Sequence, residues 1–188
     1  MSIFLENLDE HNKLISKLTF LNSVVIEVGQ IAAEKINKGG KIILCGNGGS
    51  ASDSQHIAAE LTGRFIYDRR PLAAVALTTD TSALTSIAND YSFDEIFARQ
   101  LMALGRRGDL LVVISTSGNS KNIIRAIQQA RELDITTVGL LGKDGGQSKP
   151  LCDYAIVVPS DVTARIQEAH ILIGHTLCGL IEKNLDLV

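Results

Sequence analysis

The stretch 41–64, KIILCGNGGSASDSQHIAAELTGR, places an acid–base pair shortly after a glycine-rich turn. His56 and Glu60 stand four positions apart, which puts both side chains on one face of a helix. A histidine and a carboxylate in this arrangement can transfer protons as general acid and base, or can hold a metal ion. Such pairs also occur on solvated helix faces, so the surroundings decide the role.

The turn before this pair is suited to an anion. An apolar run at 42–45 predicts a buried strand, and the glycines that let the chain turn with exposed N–H groups are Gly46, Gly48 and Gly49. The helix that follows is predicted to be capped by Ser50, Ser52 and Asp53. A helix N-terminus at the end of a strand suits a phosphate or the hydroxyls of a sugar phosphate. The run 46–51 equally satisfies the dinucleotide fingerprint G-x-G-x-x-A, and such turns also occur for packing alone.

A second polar turn, STSGNS at 115–120, follows the very apolar run 110–114. Its hydroxyl groups belong to Ser115, Thr116, Ser117 and Ser120. Gly118 permits close approach and the helix starting near Ser120 offers N–H groups, so this turn is predicted to be a phosphate cup. Serine and asparagine also favour ordinary capped turns. The motif G-x-x-x-x-G-K-[ST] is absent from the sequence, which argues against an NTPase.

The last predicted helix, 163–184, carries Gln167, His170 and His175 along a largely apolar run. At about 100° per residue, Gln167 and His175 lie about 80° apart around the helix, with His170 on the other side of Gln167. Spacing alone does not choose between the two histidines, and a lone histidine on an apolar helix is more often a hydrogen-bonded core residue. Gln167 and His175 are also about 12 Å apart along the axis, so a shared metal ion requires both side chains to reach inward.

Apolar runs that alternate with helical segments predict the scaffold for these residues. Strands are expected at 42–45, 72–77, 110–114, 135–141 and 154–158. Further helices are expected near 81–87, 93–104 and 121–133, with a polar turn at Asn89-Asp90 and a glycine-rich connection at 142–150. Apolar strands separated by helices argue for a five-stranded parallel sheet covered on both faces, a doubly wound α/β fold. The glycine turn and the phosphate cup then lie at one edge of the sheet.

The N-terminal segment, 1–37, has apolar residues at three- and four-residue steps. This pattern predicts one long amphipathic helix, or two. Because the segment precedes the first strand, part of its apolar stripe from Leu8 to Ile36 has no sheet to cover. We interpret the excess as an oligomer contact, with packing on its own domain as the alternative.

Length and composition fit one domain spanning 1–188, with 45% hydrophobic residues. A net charge of −3 and scattered basic residues disfavour nucleic-acid binding. The charged N-terminal residues are typical of neither a signal peptide nor a membrane span. The cysteines Cys45, Cys152 and Cys178 are odd in number and far apart, so they give no disulfide framework and a reducing cytoplasm is expected.

Five motifs, in order, carry a resemblance to one family: CGNGGSASDSQHIAAELTGRF, TTDTSALTSIANDYSFDEIFARQ, ISTSGNSKN, GKDGG and RIQEAHILIGHTLCGLIE. Over nearly its whole length the chain resembles the phosphoheptose isomerases (sedoheptulose-7-phosphate isomerases) of the sugar-isomerase, or SIS, family. The resemblance implies a flavodoxin-like domain and a homotetramer with active sites at subunit interfaces. It also implies conversion of sedoheptulose 7-phosphate to D-glycero-D-manno-heptose 7-phosphate, which leads to nucleotide-activated heptose for surface polysaccharide.

The resemblance further assigns roles to individual residues. The catalytic pair is implied to be Glu60 and His175. The implied zinc ligands are His56, Glu60, Gln167 and His175. The implied sugar contacts are Asn47, Gly48, Gly49, Glu60, Asn89, Asp90 and Gln167, and the implied phosphate contacts are Ser115, Thr116, Ser117 and Ser120. His170 receives no role, and the chain has Ala164 where some family members carry an acidic residue.

An aldose–ketose isomerisation needs a base that takes a proton from carbon, a group that moves protons between the neighbouring oxygens, and stabilisation of an enediolate. Glu60 is the expected base and His175 the expected proton donor to oxygen. A zinc ion on the implied ligands would instead polarise the carbonyl. The two roles compete for Glu60 and His175, because a metal-bound carboxylate is a weaker base, and both stay open.

Two other classes of function are compatible with parts of the sequence. The SIS family includes non-catalytic members, among them a protein that binds the bacterial replication initiator and regulatory domains that sense sugar phosphates. Such a binding module needs no Glu60 and His175 together, whereas this chain has both. A dinucleotide-dependent oxidoreductase would rest on the 46–51 fingerprint with Asp80 as its ribose acid. Asp80 follows Ala51 by about 29 residues rather than the expected 20 or so.

Overall fold

The computed structural model describes residues 2–188, so the first residue of the predicted N-terminal segment lies outside the described part. Within these residues the α-helices are α1 (Ile3–Ile15), α2 (Asn22–Asn37), α3 (Gly49–Thr62), α4 (Thr81–Asp90), α5 (Ile96–Leu104), α6 (Lys121–Glu132) and α7 (Thr163–Asn184). No single helix of the described part is long and apolar enough to cross a membrane. By length and composition alone, α1 and the segment Leu18–Asn37 could together form a broken span, with a bend of 46° between them.

The strands are β1 (Ile42–Gly46), β2 (Ala74–Ala76), β3 (Leu110–Ser115), β4 (Thr136–Gly142) and β5 (Tyr154–Val158). They form one sheet in the order β2-β1-β3-β4-β5, and each neighbouring pair is parallel. This order is that of the flavodoxin-like doubly wound folds, in which ligands bind beyond the carboxyl ends of the strands where the order reverses. The predicted fold class is therefore confirmed.

The sheet is buried on both faces because successive residues of a strand point to opposite sides. In β1, Ile42 and Leu44 face a core formed with α2, α3 and α7. Ile43 and Cys45 face a second core, formed mainly with α5 and α6. Buried parallel strands are apolar throughout for this reason, which explains why the apolar runs located the strands in the sequence.

The N-terminal segment forms two helices, with a short 3₁₀ turn at Leu18–Leu21 between them. Helix α2 buries one face, including Val28 and Ala32, in the core that it shares with α7. The stripe in α2 therefore covers the chain's own core, as the alternative interpretation proposed. In contrast, α1 buries only Leu14 and leaves large apolar side chains exposed, namely Ile3, Phe4, Leu5 and Leu8.

Some predicted boundaries were wrong. Asn89 and Asp90 end α4 rather than forming a turn, because Tyr91 N still donates to the Ile87 carbonyl at 3.0 Å. The connection 142–150 contains a 3₁₀ helix, Gly146–Leu151, and a shorter 3₁₀ turn precedes α5. The predicted strand 72–77 is only three residues long, since Leu72 N donates to the Leu61 carbonyl at the end of α3.

Candidate active site

The glycine turn and the phosphate cup leave neighbouring strands at one edge of the sheet, as predicted. β1 and β3 are parallel neighbours, and Gly46 at the end of β1 pairs with Ile114 near the end of β3. A reciprocal amide pair joins the two turns: the Nδ2 atoms of Asn47 and Asn122 each donate to the other residue's Oδ1 at 2.9 Å. Asn122, in the first turn of α6, is only 2% exposed. Asn122 was not predicted as a site residue, because an amide near a helix start is typical of ordinary turn chemistry.

Helix α3 begins without a side-chain cap. Its N-cap is Gly48, which has a left-handed φ of 56° that favours glycine, and no side chain of residues 2–188 makes a capping hydrogen bond there. The prediction that Ser50, Ser52 and Asp53 cap the helix is therefore wrong, because the helix begins before them and they lie within its first turns. The turn is open at Gly48, where an added Cβ would have no neighbouring atom within 4 Å.

Three predicted site residues come together on α3 and α7. The Nε2 atom of His56 lies 3.0 Å from Glu60 Oε1, which confirms that the two side chains share a helix face. The Nε2 atom of His175 lies 3.4 Å from His56 Nε2. One donor atom from each residue falls within 4.8 Å of the other two. This side-chain group, His56, Glu60 and His175, is called the His–Glu–His cluster below.

The structure distinguishes the two histidines of α7, which their spacing in the sequence could not do. His170 is fully buried, and its Nε2 atom donates to the Leu141 carbonyl at 3.0 Å. It is a hydrogen-bonded core residue, as expected for a lone histidine on an apolar helix. His175 is only partly buried and belongs to the His–Glu–His cluster. The absence of a role for His170 in the resemblance agrees with this placement.

Two residues near the cluster had no site role in the sequence analysis. The Phe65 ring stacks on the His175 imidazole with ring centroids 5.5 Å apart. Asp53 lies one turn before His56, and burial raises the pKa of its carboxyl, although the neighbouring His56 and His175 partly offset the rise. The only sequence signal for Asp53 is its position on the same helix face as His56 and Glu60.

Gln167 contacts a different part of α3. Its amide packs against Gly49, where an added Cβ would lie 2.4 Å from Gln167 Nε2. His56 lies about 10 Å further along α3 than Gly49, and His175 is displaced similarly from Gln167 along α7. The structure thus brings Gln167 to the glycine turn and His175 to the His–Glu–His cluster, and Gln167 as a metal ligand stays a prediction.

The phosphate cup is a compact turn supported by the GKDGG loop. Gly118 has a φ of 64°, and an added Cβ would lie 2.0 Å from the Gly145 carbonyl oxygen. Ser115 Oγ accepts from Gly118 N at 3.1 Å, which fixes the turn internally. Ser120 is the N-cap of α6, yet its side chain makes no capping hydrogen bond within the described residues. Its hydroxyl is therefore not consumed by the helix.

The two remaining predicted sugar contacts lie at the end of α4. Asn89 and Asp90 are both exposed, and Asn89 Nδ2 donates to Asp90 Oδ1 at 2.8 Å. Among the hydrogen bonds of residues 2–188, none joins either of them to the His–Glu–His cluster or to the phosphate cup. Their predicted sugar contact is thus not explained by the geometry of one chain.

Comparison with known proteins identifies the family. A family model described as the SIS domain matches residues 7–142. Phosphoheptose isomerase 1 of Campylobacter jejuni is 53% identical over 175 residues, which are 93% of this chain and 94% of that protein. The chain belongs to the phosphoheptose isomerase family of SIS-domain proteins.

Solved structures of this family have the same fold. The structure of phosphoheptose isomerase GmhA from Neisseria gonorrhoeae matches with a TM-score of 0.91 and 45% identity, over 96% of this chain and 97% of that one. A phosphoheptose isomerase from Francisella tularensis matches with a TM-score of 0.89 and 35% identity, over 97% of this chain and all of that one. Since both matches span nearly the full chains, the family extends over the last helix, which carries Gln167 and His175.

The His–Glu–His cluster fits a zinc ion by its donor set and spacing. Two imidazole nitrogens and a carboxylate oxygen are ordinary zinc ligands. Ligands at zinc bond lengths near 2.05 Å in tetrahedral geometry stand about 3.3 Å apart. The distances of 3.4 Å between the two Nε2 atoms and 3.0 Å between His56 Nε2 and Glu60 Oε1 are close to that value.

Proposed function

We propose that this protein is an aldose–ketose isomerase that converts sedoheptulose 7-phosphate to D-glycero-D-manno-heptose 7-phosphate. One observation carries the proposal: Glu60 and His175, a carboxylate and an imidazole, lie together in the His–Glu–His cluster, whose helix α3 begins at the glycine turn next to the phosphate cup. The identity of 53% with a phosphoheptose isomerase over 93% of the chain supports the same substrate. The product would supply nucleotide-activated heptose for a surface polysaccharide.

The proposed reaction proceeds through an enediolate. Glu60, whose side chain is 23% exposed, takes the proton from the carbon next to the carbonyl. His175 transfers a proton between the two neighbouring oxygens, and the Phe65 ring stacked on its imidazole holds the ring plane in place. General acid–base groups contribute about 10²- to 10⁴-fold each to such a step.

The substrate is proposed to lie between the two turns. Its phosphate binds the cup, where hydroxyl groups and the N-terminus of α6 supply donors for an anion. The cup residues proposed to contact the phosphate are Ser115, Thr116, Ser117 and Ser120. The sugar is proposed to contact Asn47, Gly48, Gly49, Glu60, Asn89, Asp90 and Gln167. Because Asn47 pairs with Asn122 through one donor and one acceptor, its amide keeps a second hydrogen and a second lone pair for a sugar hydroxyl.

Zinc is proposed to bind the His–Glu–His cluster, with Gln167 as the fourth ligand that the family resemblance implies. A bound zinc ion would supply Lewis-acid polarisation of the carbonyl and neutralise negative charge in the enediolate. Coordination of His56 and Glu60 would then replace their mutual hydrogen bond, because a zinc-bound Nε2 atom has no proton to donate. A metal-bound Glu60 would be a weaker base than the free carboxylate.

The functional unit is proposed to be a cytoplasmic homotetramer of one-domain subunits spanning 1–188, with its sites at subunit interfaces. The apolar side chains that α1 leaves exposed support this proposal, since Ile3 and Phe4 are 77% and 71% exposed. Closed assemblies with two kinds of two-fold contact are common among tetramers. A neighbouring subunit could also bring its own residues to Asn89 and Asp90, which lie apart from the cluster in one chain.

The direct test is product identification. The purified protein is incubated with sedoheptulose 7-phosphate, and the aldose is identified by chromatography against an authentic standard. We expect D-glycero-D-manno-heptose 7-phosphate to form, with no turnover of the unphosphorylated ketose because the cup then has no phosphate to bind. A thermal shift with NAD but no product from the sugar phosphate would instead favour the dinucleotide-dependent alternative.

A further inference from the structure

A buried ion pair lies behind the His–Glu–His cluster. Arg69 Nε donates to Glu182 Oε1 at 2.8 Å, and each side chain is 2% exposed. Transfer of two charges out of water costs several kcal/mol per ion unless further hydrogen bonds satisfy both groups. Both buried side chains therefore need further hydrogen-bond partners.

The rest of the Arg69 guanidinium binds the main chain where α3 ends. Its Nη2 donates to the carbonyl of Glu60 at 2.7 Å, and its Nη1 donates to the carbonyls of Leu61 and Gly63 at 2.8 and 2.7 Å. The last carbonyls of a helix have no partners within the helix, so Arg69 acts as its C-terminal cap. Only arginine offers a planar set of donors able to hold these carbonyls and a carboxylate together.

The partner of Arg69 belongs to the helix that carries the other catalytic candidate. Glu182 lies two turns after His175 on α7, and its Oε1 also accepts from Phe65 N at 3.3 Å. The ring of that same Phe65 stacks on His175. One buried carboxylate thus holds the segment that supports the His175 imidazole, while its ion-pair partner holds the main chain of Glu60.

We propose that Arg69 and Glu182 are positioning residues that set the distance between the Glu60 carboxylate and the His175 imidazole. This inference rests on the isomerase function proposed above and on those two residues as its acid–base pair. Neither positioning residue needs to touch the substrate. A misplacement of about 1 Å at reacting groups costs on the order of 10²-fold in rate, so loss of the pair should affect kcat.

The test removes the pair without leaving a buried charge. The double variant Arg69→Met/Glu182→Gln keeps side-chain length and leaves an amide oxygen to accept from Phe65 N. The matched control is Lys41→Met/Asp109→Asn, which neutralises another partly buried pair, with Nζ and Oδ2 2.5 Å apart, at the opposite edge of the sheet. Both proteins are compared with the wild type by kcat and KM for sedoheptulose 7-phosphate at a temperature where circular dichroism shows all three folded.

For the test variant we expect kcat to fall at least about tenfold while KM changes less than about threefold, because ground-state binding at the phosphate cup is untouched. The control variant should keep the wild-type kcat. A folded test variant with wild-type kcat would overturn the inference, and so would an equal loss of kcat in the control. If the double variant does not fold, Arg69→Lys decides: it keeps the charge but loses the fork, so an unchanged kcat in that variant also overturns the inference.

A second readout separates this inference from the proposed function. Because the Phe65 ring stacks on the His175 imidazole, its ring current should shift the proton resonances of that imidazole. These resonances are assigned in isotope-labelled protein by comparison with His175→Gln. We expect these resonances to move in Arg69→Met/Glu182→Gln and to stay in place in the control. A wild type without turnover refutes the isomerase, whereas unmoved His175 resonances refute the positioning role alone.

Discussion

The Nε2 atoms of His56 and His175 lie 3.4 Å apart, although 119 positions separate the two residues in the chain. The contact depends on close packing of α3 against α7. At Gly174, next to His175, an added Cβ would lie 2.6 Å from the Ile57 Cδ1 atom, so only glycine fits there without displacement of Ile57. The last helix of the chain thus completes a site that begins at its first strand.

The cluster geometry predicts zinc binding by this chain. Protein stripped with a chelator and titrated with zinc alone should bind about one ion per chain in calorimetry, since three donors surround one position. His56→Ala should weaken this binding by at least about tenfold, the loss typical for a changed metal site. Gln167→Ala tests the proposed fourth ligand separately. The Gln167 amide packs against Gly49, away from the three cluster residues.

The control for zinc binding is His11→Ala. His11 pairs with Glu168 at 2.8 Å and lies outside the cluster. Its replacement should leave the zinc affinity unchanged. A wild type that binds no zinc, or equal weakening by His11→Ala and His56→Ala, would contradict the proposed metal site.

The phosphate cup should be sensitive to a single methyl group. In Gly118→Ala the Cβ would meet the Gly145 carbonyl oxygen at 2.0 Å, in addition to the strain of a left-handed φ. We expect a loss of unfolding free energy of about 2–4 kcal/mol, the sum of left-handed strain and overpacking. Gly39→Ala, with a φ of 85° and no atom within 4 Å, should lose only about 1 kcal/mol. Equal losses in urea denaturation would show that the cup does not pack tightly on the GKDGG loop.

The sequence predicted those features that follow from local patterns. Apolar runs located all five strands because a parallel sheet buries both faces, and helical spacing put His56 beside Glu60. The glycine and serine turns followed from their positions after apolar strands. The two turns were correctly expected at one edge, because parallel strands present their carboxyl ends together.

Features that depend on contacts between distant segments were not predictable. Spacing on α7 left His170 and His175 equivalent, whereas in the folded chain His170 is fully buried and its Nε2 atom donates to the Leu141 carbonyl. The sequence predicted Asp53 as a helix cap, but α3 begins at Gly49, because its start depends on the conformation of Gly48. The roles of Arg69 and Glu182 are visible only where their side chains meet, 113 positions apart in the chain.

The buried His170 should make the protein less stable in acid. Burial lowers its pKa from the usual 6.5, although the hydrogen bond to Leu141 partly offsets this. Above about pH 6.5 the imidazole is neutral in both the native and the unfolded state. Below that pH the unfolded state binds a proton that the native state does not. The free energy of unfolding therefore decreases as the pH is lowered, by at most about 1.4 kcal/mol per pH unit. Urea denaturation with a chelator present should show a weaker decline between about pH 7 and 5 for His170→Gln than for the wild type. A parallel decline would contradict the burial of a neutral imidazole.

The tetramer and the origin of Glu60 and His175 from one chain are tested separately. Light scattering at micromolar concentration should give the mass of four chains, and Phe4→Glu should lower that mass because it charges the exposed apolar face of α1. A mixture of Glu60→Gln and His175→Gln proteins should recover no activity after confirmed subunit exchange, since the two residues contact within one chain. A monomeric mass would refute the tetramer, and recovered activity would show that Glu60 and His175 of one site come from two chains.

The most direct measurement follows the reaction in deuterated water by NMR with sedoheptulose 7-phosphate as substrate. We expect D-glycero-D-manno-heptose 7-phosphate that carries solvent deuterium at the carbon next to the aldehyde, because the proton held by the base exchanges with solvent in the enediolate route. Glu60→Gln and His175→Gln should each lower turnover by about 10²-fold or more while the fold stays intact, and Glu34→Gln, an exposed carboxylate on α2, should not. No aldose product under conditions where the wild type is folded, or wild-type turnover in the Glu60→Gln protein, would contradict the account.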